Sequence, residues 1–403
     1  MTTCELPATA DLQPPAPEAK SPERSPAAGS ALVTPAFARL LVMVFGSGLS
    51  MYLLTSVVPL YLAANGAGGI GAGLSTGAMM LAAVGVELLV PRMLRRFGYR
   101  GTLALGLVLL GAPSLALVVT SSLPLVLAVC VVRGAGLAIM VVGAVVLVAD
   151  VAPAHRRGEA LGIYGVVVGL PAVIGLPLGI YLTGVIGYDA LFVLAAVASL
   201  AGLAMVPGVA ARSTGSEEQH VKVLGGLRGS GLLMPTLVFA AVTVAAGISV
   251  TFLPLGSSNH FVVAIALLIQ AIAAPAARWL AGRVGDRVGP AKLLPLAIIL
   301  AALGAGALVF IGNPAAVITG AALFGVGFGA AQNLTLAIMY DRSPKSRYGQ
   351  VSALWNLAYD GGWGAGAIIF GFVVAGTGYP LAFALTAALV AAATLPTLRA
   401  HSR

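Results

Sequence analysis

Charged residues are scarce in this chain: they make up 9% of its 403 residues, against roughly 25% in soluble domains. Cysteine is rarer still. Its two copies, Cys4 and Cys130, lie in a polar tail and in an apolar stretch, which gives no sign of a disulfide framework. The four histidines fall in loops or tails without metal-ligand spacing. No glycine-rich phosphate-binding loop is present, which argues against ATP coupling. We therefore expect neither a metal site nor a cofactor.

What the chain has instead is hydrophobic sequence, since 59% of its residues are apolar and the mean hydropathy is +1.01. Twelve apolar stretches follow one another, each near the ~20 residues that a helix needs to cross a bilayer. This pattern predicts an all-α membrane protein with twelve transmembrane helices. The expected spans are 37–62, 73–94, 102–120, 124–148, 159–183, 189–208, 232–255, 261–282, 290–311, 315–338, 351–375 and 379–398.

Two polar segments divide the chain. Residues 1–35 are rich in Pro, Ala, Ser and Glu and lack an apolar core, so they predict a disordered cytoplasmic tail. Residues 211–231 form the longest polar interruption after the tail, and we expect them to be a cytoplasmic linker. The linker would join residues 36–210 to residues 232–403, and each of these two parts holds six of the expected spans.

A repeat relates the two parts. Residues 91–100 align with 282–291, and residues 150–158 align with 341–349, both under one shift of 191 positions. Identical residues coincide in seven pairs: Arg92 and Arg283, Arg96 and Arg287, Gly98 and Gly289, Asp150 and Asp341, Pro153 and Pro344, Arg156 and Arg347, Gly158 and Gly349. The repeat predicts two pseudo-symmetric six-helix halves, an architecture of secondary transporters with the working site between the halves.

The cations lie in alternate connections. Lys and Arg occupy the tails and the connections after even-numbered spans, whereas the odd-numbered connections hold none. By the positive-inside rule both termini are cytoplasmic. The net charge of +9 then faces anionic lipid headgroups and not nucleic acid. An excess of Arg over Lys, with abundant Ala, Gly and Val, favours a bacterial plasma membrane. A monomer is the expected form.

The two basic loops after the second and eighth spans resemble a signature of the major facilitator superfamily, in which Gly-x-x-x-Asp-Arg-x-Gly precedes basic residues. The second copy matches well, whereas the first has Pro91 and Arg95 in place of the Gly and the Asp. The resemblance implies a transporter whose cytoplasmic gate these loops latch, although topology alone would also explain the arginines. The gate-motif residues are Gly282, Asp286, Arg287 and Gly289, with Arg92, Arg96 and Gly98 in the first copy.

We interpret Arg133 as the one basic residue deep in a span. It lies about 14 Å from the start of span four, at 1.5 Å per residue. A charge at that depth is costly and indicates a function, here proton coupling or substrate binding. The alternative is an arginine satisfied by backbone carbonyls and a neighbouring side chain. The segment RGAG (133–136) is similar to a signature of proton-coupled drug exporters.

Span five carries a degenerate form of the exporters' Gly-Pro motif, which favours export weakly. Ordinary helix packing explains its small residues about as well. The residues concerned are Gly165, Gly169, Gly175, Pro177 and Gly179.

Asp360 is the first candidate for a proton site, because an acid about nine residues into span eleven lies near the membrane midplane. A structural hydrogen bond, for example to Asn356, is the alternative. Glu87 is the second candidate. It lies one turn before Pro91, where an ion pair at the gate would explain it as well as proton transport.

Sparse polar and aromatic side chains within the spans favour an amphipathic solute over a sugar. The candidates are Ser50, Tyr52, Thr55, Gln270, Gln332, Asn333, Trp355, Asn356 and Tyr359. We therefore expect proton-coupled efflux of a small drug or metabolite by alternating access, with Arg133 tuning the acid or the substrate's charge. The alternatives are a proton symporter that imports a nutrient, a membrane-embedded enzyme, and a receptor that does not transport.

Overall fold

The computed structural model describes residues 34–151, 156–209 and 231–399, so almost all of the predicted tail and linker lie outside the described residues. Those residues form α-helices joined by short connections, and no strand occurs among them, as the composition predicts. The helices are α1 (Pro35–Thr55), α2 (Val57–Leu62), α3 (Gly68–Glu87), α4 (Val90–Gly111), α5 (Leu123–Val151), α6 (Arg157–Thr183), α7 (Gly187–Leu200), α8 (Leu233–Gly256), α9 (His260–Val288), α10 (Pro290–Ala307), α11 (Pro314–Asp341), α12 (Tyr348–Ala392) and α13 (Thr394–Arg399).

Ten segments of the described chain are long and apolar enough to cross a membrane. Two of them, Pro35–Glu87 with 53 residues and Tyr348–Leu398 with 51, are twice the usual length. A straight helix of that size would extend roughly 75 Å, more than twice the ~30 Å hydrocarbon core of a bilayer. Each of these two segments therefore needs a turn within it.

The turn in the second long segment is visible in its aromatic contacts. The ring centroids of Phe370 and Phe383 are 5.0 Å apart, although a straight helix would separate them by roughly 20 Å. The chain reverses at Gly378, whose φ of 75° is readily adopted only by glycine. Two antiparallel helices thus share the segment named α12.

Backbone turns recur at the spacing of the sequence repeat. Gly98 and Gly289, 191 positions apart, have φ of 67° and 97°. Gly187 and Gly378, separated by the same interval, have φ of 78° and 75°. The repeat first seen in the basic loops therefore extends to the glycine turns of the backbone.

The N-terminal helices, α1–α7, meet the C-terminal helices, α8–α13, mainly where α3 packs against α12 and α6 against α9. Glycine allows the first of these contacts to be close, because a Cβ on Gly73 would lie 2.3 Å from the carbonyl oxygen of Ala367. Beside it, the hydroxyls of Thr76 and Thr251 share a hydrogen bond of 3.0 Å. The two groups of helices are thus joined by backbone packing and by polar contacts.

This contact lies toward the end of the bundle that carries the connection 63–67. From Gly73, α3 runs toward the basic loop at 91–100 and reaches Glu87 after roughly 21 Å. Glu87 therefore lies beyond the closest part of the α3–α12 contact, on the side of the basic loops.

Candidate functional site

Two carboxyl groups meet between the N-terminal and C-terminal helices. Glu87 is the last residue of α3, and Asp360 lies on α12, twelve positions after its first residue, Tyr348. Both residues are half-buried, and their carboxyl groups lie close enough to interact electrostatically. Two carboxyl groups placed together can share one proton through a hydrogen bond, because a protonated carboxyl donates and an ionised one accepts. We call Glu87 and Asp360 the carboxyl pair.

Tyrosines from both groups of helices surround Asp360. The phenols of Tyr52, on α1, and Tyr359, on α12, lie near enough to interact electrostatically with its carboxyl group. Both tyrosines are half-buried. The structure therefore brings together four sequence candidates from three helices: Tyr52, Glu87, Tyr359 and Asp360.

Arg133 does not join this group. Its guanidinium donates hydrogen bonds to the carbonyl oxygens of Leu110 at 2.7 Å and Ser50 at 3.1 Å, and to the hydroxyl of Ser114. Only 2% of its surface is exposed. Arg133 and Asp360, both described residues, form no salt bridge with each other. Arg133 is thus satisfied by backbone carbonyls and a neighbouring side chain, which was the alternative to a role in proton coupling or substrate binding.

A small cavity adjoins Arg133. It holds about 20 Å³ of space that the centre of a water molecule can occupy, and its lining includes Thr55, Thr76 and Cys130. One water molecule needs roughly 10–15 Å³ by this measure. In this conformation the cavity therefore has room for water beside Arg133 and not for a substrate.

Arg278 is a further ionisable residue within a membrane-crossing helix, and it was not among the sequence candidates. It lies on α9, ten positions before the end of that helix at Val288. Its Nη1 donates to Oε1 of Gln332 over 3.2 Å, and its guanidinium carbon lies 5.9 Å from the centre of a Trp355 ring. Arg278 is thus a second basic residue within a predicted span, four residues before its end at residue 282, and the expectation that Arg133 is the one basic residue deep in a span stays a prediction. The predicted span ended at residue 282, and α9 continues for six more residues.

The remaining polar candidates occupy different places. Gln270 is buried and accepts a hydrogen bond from Ser249 over 2.9 Å, on the C-terminal helices. Thr55 donates to the carbonyl oxygen of Met51 at 2.8 Å, and Trp355 Nε1 donates to Thr335 Oγ1 at 3.3 Å. The Asn333 amide lies where α11 passes Gly282, and Asn356 is half-buried on α12. The Ser50 hydroxyl is buried without a partner among the described residues.

The gate-motif loops are open to solvent. Arg92, Arg96, Asp286 and Arg287 are exposed, and Arg96 lies over the ring of Phe97 at 5.5 Å. Asp286 makes no hydrogen bond or ion pair with the described part of the chain. The latch that the motif implies is therefore not engaged in this conformation.

The glycines of span five differ in how closely other helices approach them along α6. A Cβ on Gly179 would lie 2.4 Å from the Leu53 carbonyl oxygen, and one on Gly175 would lie 2.8 Å from the Tyr52 side chain. On Gly165 or Gly169 it would meet no described atom within 4 Å. Close packing on α1 thus involves the part of α6 around Pro177, and the first half of the helix is free of it.

The family of the chain follows from sequence comparison. The profile of the Major Facilitator Superfamily matches residues 40–367 and, in a second alignment, residues 236–401. The chain belongs to the major facilitator superfamily. No curated protein sequence matches it significantly, so the branch of the superfamily does not follow from close relatives.

Solved structures of the same fold include several transporters. The nucleoside transporter NupG is similar with a TM-score of 0.75 at 12% identity, over 90% of this chain and 99% of its own. A D-xylose-proton symporter gives a TM-score of 0.75 at 14% identity, over 91% and 97%. A POT peptide transporter in complex with sulfate gives 0.74 at 15% identity, over 91% and 94%. The chain therefore has the fold of a multi-pass membrane transporter of the superfamily.

Proposed function

We propose that the chain is a proton-coupled secondary transporter that exports a small amphipathic compound across a bacterial plasma membrane. The observation that carries the proposal is the carboxyl pair. Such a pair can hold one transferable proton, and its two members belong to helices on either side of the linker. A proton held at that place is sensitive to any movement of one group of helices against the other.

The proposed arrangement has twelve spans in two six-helix halves, with both termini in the cytoplasm. The ten apolar segments support this count, because each of the two long ones contributes two crossings. The glycine turns repeated at 191 positions support the duplication, and the basic loops support the orientation. With that orientation the α3–α12 contact lies toward the periplasm, and the site opens toward the cytoplasm. We treat the protein as a monomer.

Coupling follows from the charge of the pair. When one carboxyl is protonated, the hydrogen bond holds α3 and α12 together. When both are ionised, two negative charges roughly 4 Å apart repel by about 4 kcal/mol at an effective dielectric constant of 20. This energy is enough to shift a conformational equilibrium by more than a hundredfold. Release of the proton would thus favour separation of the two halves, and its binding would favour their contact.

Arg133 has a different part in this proposal. Its hydrogen bonds join α1, α4 and the segment after α4, which are all N-terminal helices. We assign it to holding these helices in register as the halves move, together with the water-sized cavity beside it. The aromatic side chains of α12 would receive the apolar part of the substrate.

The test uses everted membrane vesicles with an acidic interior and a pH-sensitive dye. Addition of a panel of aromatic amphiphiles should trigger proton release from wild-type vesicles as a compound enters in exchange. Asp360→Asn and Glu87→Gln should each abolish that release. Both variants should still exchange labelled compound for unlabelled compound across the membrane, because exchange moves no net proton.

Asp189→Asn is the matched control, since Asp189 is an exposed acid in the first turn of α7. It should behave like the wild type. Proton release that persists in Asp360→Asn and Glu87→Gln would remove the pair from the mechanism. Proton movement of the opposite sign on addition of compound would replace export by proton symport.

A further inference from the structure

Arg278 is a cation without a counterion among the described residues. Its helix, α9, is apolar and long enough to cross a membrane. Arg278 forms no salt bridge with any described residue. Within the described part of the chain its one side-chain hydrogen bond is to the Gln332 amide, and a guanidinium has five N–H donors. Several donors are therefore left for another partner.

The lack of a counterion is informative because of where Arg278 lies. A charge within a membrane-crossing helix is costly unless it meets an opposite charge, a carbonyl or water. The side chain is exposed at its surface although it contacts buried Gln332 and Trp355. Its guanidinium is thus accessible while it contacts two buried side chains, so an incoming anion can reach its remaining donors.

Three aromatic side chains on α12 form a wall beside this cation. Trp355, Tyr359 and Trp363 recur at intervals of four, and successive ring centroids are 5.7 Å apart. We call these three residues the aromatic column. Phe239 stacks on Trp355, with their ring centroids 4.5 Å apart. This contact supports the aromatic column. Flat faces next to a guanidinium suit a planar aromatic group that carries an anion.

A second polar group in this region lacks a partner. The indole Nε1 of Trp363 is buried and makes no hydrogen bond among the described residues. Trp363 is 6% exposed. Buried donors are normally satisfied, so an unpaired N–H on the aromatic column is a second site where a ligand oxygen would be stabilised.

We propose that Arg278 and the aromatic column form a binding site for aromatic organic anions, in which the guanidinium holds a carboxylate and the rings hold the aromatic group. This assignment rests on the proposed transport function and names its substrate class. It depends on residues of α9, α11 and α12, and it uses no member of the carboxyl pair.

The site also adjoins the proton site. Tyr359 interacts electrostatically with both Arg278 and Asp360, so it lies between the two. A bound carboxylate would offset the positive charge of Arg278 near the carboxyl pair, so occupancy of the anion site and protonation of the pair are linked.

The test is equilibrium binding in detergent by titration calorimetry, with three probes of one shape. These are 2-naphthoate, the neutral 2-naphthamide and the cationic 2-naphthylmethylammonium. We expect 2-naphthoate to bind wild type at least tenfold more tightly than the other two. Arg278→Gln should remove that preference and leave the affinity for 2-naphthamide within threefold of wild type. Arg278→Lys should retain part of the preference, because it keeps the charge and loses the planar fork.

Arg283→Gln is the matched control. Arg283 is on the same helix and also lies over a tryptophan, at 4.8 Å from the Trp279 ring centre, but Trp279 is 62% exposed. The control should keep the wild-type preference. Equal affinities for 2-naphthoate and 2-naphthamide in the wild type would overturn the inference, as would an equal loss in Arg283→Gln and Arg278→Gln.

This experiment is independent of the vesicle test. No proton gradient is present, so anion preference with no proton release in vesicles would contradict the coupling and leave the anion site. Proton release without any anion preference would contradict the anion site and leave the coupling.

Discussion

The contact between α3 and α12 should be weakened strongly by a single added methyl group. We expect Gly73→Ala to weaken this contact, because the new Cβ would lie 2.3 Å from the Ala367 carbonyl oxygen and 3.1 Å from the Ala367 carbonyl carbon. The atom it meets is backbone and cannot rotate away. The helices must therefore move apart by about 1 Å to reach an ordinary van der Waals distance.

The size of the effect follows from that overlap. Inserting a methyl group into a close-packed contact costs about 1–3 kcal/mol, and the cost applies only while the two helices touch. An equilibrium between contact and separation would then shift by roughly 5–150-fold toward separation. Gly85→Ala, on the same helix, meets no described atom within 4 Å. It also makes the same change in helix propensity, so it is the matched control.

The assay measures access to the contact. Thr251→Cys places a thiol at a position that is 0% exposed and faces α3, in a background of Cys4→Ser and Cys130→Ala. Alkylation by a maleimide in detergent should be at least fivefold faster with Gly73→Ala than with Gly85→Ala. Equal rates in the two variants would show that the α3–α12 contact does not open as a unit and would refute the reasoning.

Three further effects on stability are expected, each measured by unfolding in detergent. Gly98→Ala should lower the stability by about 1–3 kcal/mol, because its φ of 67° with extended ψ suits only glycine. Gly349→Ala, where φ is ordinary and no described atom is within 4 Å, should change little. Arg133→Met should cost about 2 kcal/mol, from three buried hydrogen bonds at roughly 0.6 kcal/mol each, and an unchanged stability would contradict the role given to it. Trp363→Phe should cost less than Trp355→Phe by roughly 0.5–1.5 kcal/mol, because only Trp355 has a bonded N–H to lose. The reverse order would argue against an unpaired indole.

Much of the architecture could be predicted from the sequence. Composition and the length of the apolar stretches indicate a helical membrane protein without reference to any contact, because a bilayer constrains span length and charge directly. The superfamily follows from the loop pattern, and the profile match confirms it. The repeat at 191 positions predicts where Gly289 needs the turn that Gly98 makes, since equivalent loops require equivalent backbone conformations.

The carboxyl pair was predictable only in part. Asp360 and Glu87 stand out because acids are rare and costly within spans, so each was a candidate by itself. Their contact was not predictable, because it depends on how α3 and α12 are rotated about their axes and how closely they cross. In α12, Ser352, Asn356 and Asp360 recur at intervals of four and share one face. In α3 polar side chains are too few to indicate which face meets α12.

The partners of the two arginines were decided by tertiary structure. Depth in a span marked Arg133 as costly, but only the packing of α1 and α4 around it determined that carbonyl oxygens and a serine satisfy the charge. Arg278 was not a sequence candidate, because it lies only four residues before the predicted end of its span, whereas α9 continues to Val288. By itself, the sequence determined a helical membrane transporter fold of the superfamily with rare internal charges. The tertiary structure alone decided which charges meet. Side chains far apart along the chain come together through helix packing, and the sequence pattern does not specify how the helices are rotated and where they cross.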